Sequence, residues 1–325
     1  MLNVLTKIEK VGMFSLDGFK VVFINCPVSK IRTDVMHLRE ALDRNLIEVS
    51  EISRSGTVNS LKVVNKSDKF IILFRGDTLV GGKQNRTLYT TLILAPKSEN
   101  IIPVACVEAG RWRWKTEEMT QNLRIPQLMR FEKMIIEANI PSRSEILRNT
   151  VKMMIQSFTW GEISNRQHKL AIRSETSDVV EIVSKEIHQD IKINIPDEAN
   201  GVIYFYDGKI VGGEVFLIPI DKSYIRDAII AAYFDYKYYK NVGAKIESDI
   251  STIEDLIREI GQCDVEEKES VFEEKVKLIK SEKVIGFIVQ LGDTPIYAEF
   301  STIGQNFPLG SLRESIRRVR FLRGP

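Results

Sequence analysis

Residues 75–114 read RGDTLVGGKQNRTLYTTLILAPKSENIIPVACVEAGRWRW. Short β-branched and apolar runs, Thr87 to Leu94 and Ile101 to Val107, alternate here with Gly-, Asn- and Ser-containing turn signals. Their connections are too short for the crossover that a parallel pair requires, so antiparallel pairing is expected. The same grammar extends toward the N-terminus, with strand-like runs at Phe19 to Ile24, Leu46 to Ile52, Val58 to Val64 and Phe70 to Phe74. One helix is expected to interrupt them. Thr33 would cap DVMHLREALDRNL, with Val35, Leu38, Ala41, Leu42 and Leu46 on one face.

After Gln127 the apolar period becomes helical. Ser142-x-x-Glu145 is a capping box opening EILRNTVKMMIQSFTWGEI, in which Ile146, Val151, Met154, Ile155 and Phe158 face inward. A further helix is expected over Ser177 to Ile191, and Pro196 within IPDEANG closes the block. Beyond it lie a helix over Ser223 to Lys240 with aromatic residues on both faces, a second capping box at Ser251-x-x-Glu254, and strands at Val276 to Ile279, Val284 to Gln290 and Ile296 to Phe300. The fold class is therefore α+β, antiparallel sheets from the two ends with a central helical block. The expected parts are 1–126 (β-rich), 127–196 (helical) and 197–325 (α+β). FRGDTLVGG at 74–82 and FYDGKIVGG at 205–213 align without a gap, and LGDTPI at 291–296 is a weaker echo. Either a hairpin unit is duplicated or the same turn chemistry arose twice.

Composition narrows the partners. A formal charge of +2 is too balanced to favour nucleic acid or an anionic membrane. No apolar run reaches the roughly 18–20 residues of a spanning helix, and no secretory signal is expected from the opening residues, which carry no long apolar run after a basic end. Three widely spaced cysteines, Cys26, Cys106 and Cys263, argue against a disulfide framework and for a reducing cytoplasm.

The opening stretch also gathers the chemistry. Gly81 and Gly82 let backbone approach a ligand, while Lys83 and Arg86 neutralise phosphate or carboxylate and Gln84 and Asn85 read a sugar or base edge. The bland alternative is a hairpin exit whose polar residues face water. A phosphate-binding P-loop is excluded, because Asp77 and Gln84 fill the positions of its first glycine and its Ser/Thr. Cys106 and Glu108 would share a strand face; a buried inert thiol is preferred over a nucleophile, with His168 the one histidine considered as its partner. Glu108 is either a general base or the carboxylate that holds Arg86 or Arg111. In Arg111-Trp112-Arg113-Trp114, strand alternation would put the arginines on one face and the indoles on the other, one indole in the core and Trp160 within reach. The histidines lack metal-site spacing and no cysteine pair is close, so no metal is assigned; a carboxylate-held Mg²⁺ through Asp77 and Glu108 is a minor alternative.

With EALDRNLIEVSE at 40–51, GDTLVGGKQNR at 76–86, IPVACVEAGRW at 102–112, SFTWGEI at 157–163 and GVIYFYDGKIVGGEVF at 201–216, the chain resembles a prokaryotic family. That family is the ADP-ribosylglycohydrolase and rhodanese-phosphatase superfamily-associated protein domain, and the likeness covers nearly the whole chain. The family name records genomic company, so the resemblance implies a role near ADP-ribose or nucleotide metabolism. The resemblance implies Glu in many relatives where this chain has the shorter Asp77, which puts a catalytic geometry through Asp77 in question.

Two functions are compatible with these residues. In the first, the protein binds an anionic nucleotide-like molecule such as ADP-ribose, and whether it also hydrolyses it is left open. Gly81, Gly82, Lys83, Gln84, Asn85, Arg86, Arg111 and Trp112 would bind, and Glu108 and Asp77 would act as acid and base; the cofactor is unknown. In the second, it is a non-catalytic module docking a partner enzyme through its arginine-rich end, Arg313, Arg317, Arg318, Arg320 and Arg323, or the acidic stretch from Glu247 to Glu274.

Overall fold

Asp-Gly pairs turn the chain twice within one sheet. In the computed structural model, which describes residues 3–27, 32–140, 143, 149–187, 191–243 and 248–302, both residues of each pair have positive φ. Asp17 is at 52° and Gly18 at 87°; Asp207 is at 47° and Gly208 at 81°. Such two-residue turns twist with their strands. They join β1 (Glu9–Leu16) to β2 (Phe19–Asn25) and β12 (Gly201–Tyr206) to β13 (Lys209–Phe216).

Among the described residues the chain forms two compact units, one within 1–33, 190–270 and 274–309, the other within 34–189 and 271–273. The three-part division expected from the sequence differs, because β2 pairs with β12 across the whole intervening block. Local pattern carries no record of that pairing.

The first unit is built on an eight-stranded antiparallel sheet in the order β1-β2-β12-β13-β17-β16-β15-β14. Its later strands are β14 (Asp264–Lys268), β15 (Glu274–Lys280), β16 (Ile285–Leu291) and β17 (Thr294–Ser301). The run FKVVFIN of β2 is apolar on both faces, as a strand covered on both sides must be. Val22 and Ile24 join a core with Leu5 of α1 (Asn3–Thr6) and Leu256 and Ile260 of α7 (Ile253–Gly261). On the other face Phe19 and Tyr206 pack against Tyr236 of α6 (Lys222–Asn241). The edge strand β14 exposes Glu266 and Glu267, charges that discourage pairing with another chain.

The second unit holds β3 (Val35–His37), α2 (Leu38–Asp43), β4 (Ile47–Ser50), β5 (Ser60–Asn65), β6 (Phe70–Leu73), β7 (Thr78–Val80), β8 (Arg86–Leu88), β9 (Leu92–Leu94), β10 (Glu99–Cys106) and β11 (Thr120–Gln121). These form a six-stranded sheet, β11-β7-β8-β10-β5-β4, and a three-stranded sheet, β3-β6-β9. Both contribute to one apolar core, Val49, Val63, Leu79, Leu88 and Val104 from the first with Ile71, Leu73, Leu92 and Leu94 from the second. Helices α3 (Gln127–Ala138), α4 (Asn149–Leu170) and α5 (Val179–Glu186) follow, and α4 lies against β10.

The α+β class with antiparallel sheets is the observed one. Several local expectations change. The helix expected from residue 34 begins only at Leu38, because Val35–His37 pairs in parallel with Phe70–Ile72. That pair is joined by a long connection, so the short-loop argument for antiparallel pairing does not reach it. The run Thr87 to Leu94 splits into β8 and β9, which belong to different sheets. The cap of α7 is Thr252, which accepts from Asp255 N, one residue beyond the expected box. The box at Ser142 and Glu145, Ile146, the arginine-rich end and Glu247 lie outside the described residues. The two diglycines are not equivalent. Gly212-Gly213 lies within β13, whereas Gly81-Gly82 is the turn between β7 and β8, and the strands flanking Gly76-Asp77 belong to different sheets.

Candidate functional site

The turn from β7 to β8 is closed by its own side chains. Asn85 Oδ1 accepts from Gly81 N at 3.0 Å and from Arg111 Nη2 at 3.1 Å, while its Nδ2 donates to Asp178 Oδ2 at 3.0 Å. Arg111 also donates to the carbonyls of Gly82 (2.8 Å), Arg113 (2.9 Å) and Gly81 (3.2 Å). Its Nε donates to Glu108 Oε1 at 2.8 Å and its Nη2 lies 2.7 Å from Oε2. Glu108 further accepts from Asn85 N at 3.0 Å and Thr176 Oγ1 at 3.0 Å. Burial alone would raise its pKa, but the bonds from Arg111, Asn85 and Thr176 outweigh that and hold it below the ordinary value. Both oxygens of Glu108 are thus occupied by donors. Asp178, the N-cap of α5, is shifted upward, chiefly by burial and also by the nearby Glu108 charge.

Beside this clasp is a second, incompletely satisfied pair. Glu51 continues the inward face of Ile47 and Val49 beyond β4. Its Oε1 accepts from Lys83 N at 2.9 Å and from Arg86 Nη2 at 3.4 Å. Both side chains are 0% exposed. Arg86 Nε and Nη1 and Glu51 Oε2 nevertheless meet no hydrogen-bond partner, and neither does Gln84 Oε1. Trp112 lies over this corner, its ring centre 5.6 Å from Arg86 Cζ and 5.5 Å from Lys83 Nζ. Gly56, at φ 73°, passes so close that a Cβ there would sit 3.2 Å from Glu51 Oε2 and 3.4 Å from the Trp112 ring.

The segment after β10 is irregular rather than a strand, so Arg111–Trp114 does not alternate as expected. Arg111 is buried and Arg113 exposed. Trp112 and Trp114 are 44% and 45% exposed, so neither is the expected core anchor. Trp160 instead lines a groove with Val58 and Lys152.

Asp77 belongs to different company. Its Oδ2 accepts from Phe74 N at 3.0 Å, and Arg124 Nε lies 3.7 Å from Oδ1. Arg124 Nη2 donates to Arg75 O, leading into a buried network. There Glu137 of α3 meets Arg75 Nη2 at 2.7 Å and accepts from Arg143 Nε at 2.8 Å and Thr90 Oγ1 at 2.9 Å. Lys133, one turn earlier on α3, donates to Thr159 Oγ1. Burial pushes its pKa down to about 8 against the pull of Glu132 and Glu162. Glu108 is held by Asn85, Arg111 and Thr176, none of which meets Asp77 in these contacts.

Cys106 is buried, and burial pushes its thiol up to about 12, despite the lowering influence of Arg86. Its S–H faces Val58 O, and its backbone is clasped on both sides by Gln156. His168 is exposed in the last turn of α4. Among the described residues no cluster of His, Cys, Asp or Glu is arranged to hold a metal ion.

Sequence reading passed over Glu51, Asp178, Thr176 and Glu137. Glu51 left a trace: an acid two residues past Val49 on a core-facing period is misplaced unless a cation meets it. The others are brought in by chain topology and left none.

Residues 13–300 match the model of the ARG and Rhodanese-Phosphatase-superfamily-associated Protein domain, and the chain belongs to that family. Its name records association with the ARG and rhodanese-phosphatase superfamilies. Comparison with curated proteins and with solved structures returned no match. No helix among the described residues is long and apolar enough to cross a membrane.

Proposed function

We propose that this member of the family binds an anionic, nucleotide-like small molecule, of which ADP-ribose is the representative, at the Glu51–Arg86–Trp112 corner. The observation that carries the reading is Arg86, wholly buried with Nε and Nη1 unsatisfied beside the unsatisfied Oε2 of Glu51. Leaving a buried polar group unpaired costs about 1–3 kcal/mol, more when it is charged. Both side chains are closed off from solvent here, so the reading requires the half-exposed Trp112 ring to move aside; a ligand offering phosphate oxygens to Arg86 and a ribose hydroxyl to Glu51 would then meet both needs. Lys83 supplies a second cation, Gln84 a free carbonyl oxygen, and Trp112 a half-exposed ring for a base. Gly81, Gly82, Asn85 and Arg111 shape the turn, their polar groups being largely spent on one another. Glu108 and Asp77, the carboxylates expected to act as base and acid, hold charge in place in this reading. The carboxylate oxygen left for a proton transfer is Glu51 Oε2.

Calorimetric titration of the full chain with ADP-ribose, ADP and ribose 5-phosphate tests this. Base stacking is worth about 1–3 kcal/mol, so Trp112→Ala is expected to weaken ADP-ribose binding by about 5- to 150-fold. Its melting temperature should not move, because the ring is half exposed. Absence of binding, or unchanged affinity in the variant, rejects the reading.

The second reading is docking on a partner enzyme. It is favoured by the family's description and by the neighbouring exposed indoles of Trp112 and Trp114, a residue type enriched at interface anchors. In that case Trp112→Ala weakens capture of an ARG- or rhodanese-phosphatase-superfamily partner, and no nucleotide binds.

A further inference from the structure

Lys152 of α4 is 9% exposed, and its Nζ donates to Ser60 Oγ at 2.8 Å. Among the described residues no carboxylate pairs with it. Burial accordingly shifts its pKa downward. An ammonium taken out of water without a counter-ion is costly, and a hydroxyl uses one of its three donors. The surroundings are a groove of about 730 Å³ between the 57–60 segment and α4. That is within the range of small-molecule sites, roughly 300–1,000 Å³. Its walls include Val58, Met153 and Trp160, which are exposed at 36%, 67% and 38%. Isolated exposed apolar residues need no explanation, but three around one buried cation form a pattern. Gln156 also lines the groove, yet its amide is spent on the Cys106 backbone, so it serves as wall. Asn59 contributes an unsatisfied Oδ1 at the opposite side from α4.

We infer that this groove is a second binding site, for an organic anion with an apolar body: the acid group on Lys152, the body against Val58, Met153 and Trp160. Such a ligand differs from a nucleotide, whose several charges would meet one cation here and an apolar rim. The groove is separate in residues from the Glu51–Arg86 corner, so the inference stands whether or not ADP-ribose binds there.

The test uses the full chain and two fluorescent probes sharing one aromatic body. 1-Anilinonaphthalene-8-sulfonate carries an acid group, and N-phenyl-1-naphthylamine does not. Saturable one-site binding of the sulfonate is expected, competed by decanoate and not by decanol. Lys152→Gln should weaken the sulfonate by about tenfold or more and leave the neutral probe unchanged, since bonds to charged groups are the strong ones. It keeps a donor for Ser60, and Met153→Glu changes a solvent-facing residue, so at least the latter should fold as the parent does. Met153→Glu is expected to weaken the sulfonate as well, by repulsion at the rim. Equal sulfonate affinity in wild type and Lys152→Gln, or no saturable binding, overturns the inference. Trp112→Ala should leave sulfonate binding intact; its loss there would place the probe at the other site and count against the groove.

Discussion

Glu137→Ala is expected to destabilise the second unit by about 3–5 kcal/mol, the usual cost of removing one partner from a buried ion pair. The carboxylate meets Arg75 at 2.7 Å and Arg143 at 2.8 Å, so its loss takes one anion away from two buried guanidinium groups at once. Cavity formation adds to the penalty. Urea denaturation followed at both units should show a lower midpoint with an unchanged slope for the transition of the second unit. An unchanged midpoint would mean that the arginines find other anions.

The same residue sets a pH dependence. Burial would raise the Glu137 pKa, but Arg75, Arg143 and Thr90 bring it below the ordinary value. The unfolded chain therefore binds the proton more readily than the folded one. Its stabilising contribution is complete above the unfolded value of about 4.3 and fades as pH falls through the folded value. Glu137→Gln should flatten that acid limb, leaving the variant less stable at neutral pH and the gap to wild type narrower in acid.

Arg86→Met is the second large effect, again about 3–5 kcal/mol, because Glu51 would remain as an uncompensated buried carboxylate. Pairing it with Glu51→Gln removes the stranded charge, and the double variant should recover much of the loss. The interaction energy of that cycle is the stability statement. The binding statement is separate. All three variants should lose ADP-ribose affinity, including the double variant that is restored in stability. A stable double variant that still binds as wild type would remove Arg86 and Glu51 from the site.

How far the sequence led depends on how local each feature is. The Asp17-Gly18 and Asp207-Gly208 hairpins follow from backbone preferences of two residues, and β2, β12 and the strands after 274 follow from apolar patterning. Caps are equally local, although α7 took Thr252 over Ser251. Glu108 and Arg111 are three residues apart, and their pairing was one of the alternatives the sequence left open, beside pairing with Arg86 or acting as a base. Arg86 stood out as a cation beside the diglycine, yet its buried partner Glu51 is 35 positions away. Asp77 looked like a companion of Glu108, but the turn at Gly76 carries the chain from one sheet to another and gives it to Arg124. Likewise, Val35–His37 carries a helical pattern that parallel pairing with β6 overrides. The Arg-Trp alternation failed because the strand bearing it ends at Cys106.

A crystal structure of the full chain soaked with ADP-ribose tests the central claim most directly. The account predicts density for the ligand within hydrogen-bond distance of Arg86 Nε or Nη1, a ribose hydroxyl on Glu51 Oε2, and the base against Trp112. Ordered water satisfying Arg86 and Glu51 while ADP-ribose is absent, or bound elsewhere, would contradict it.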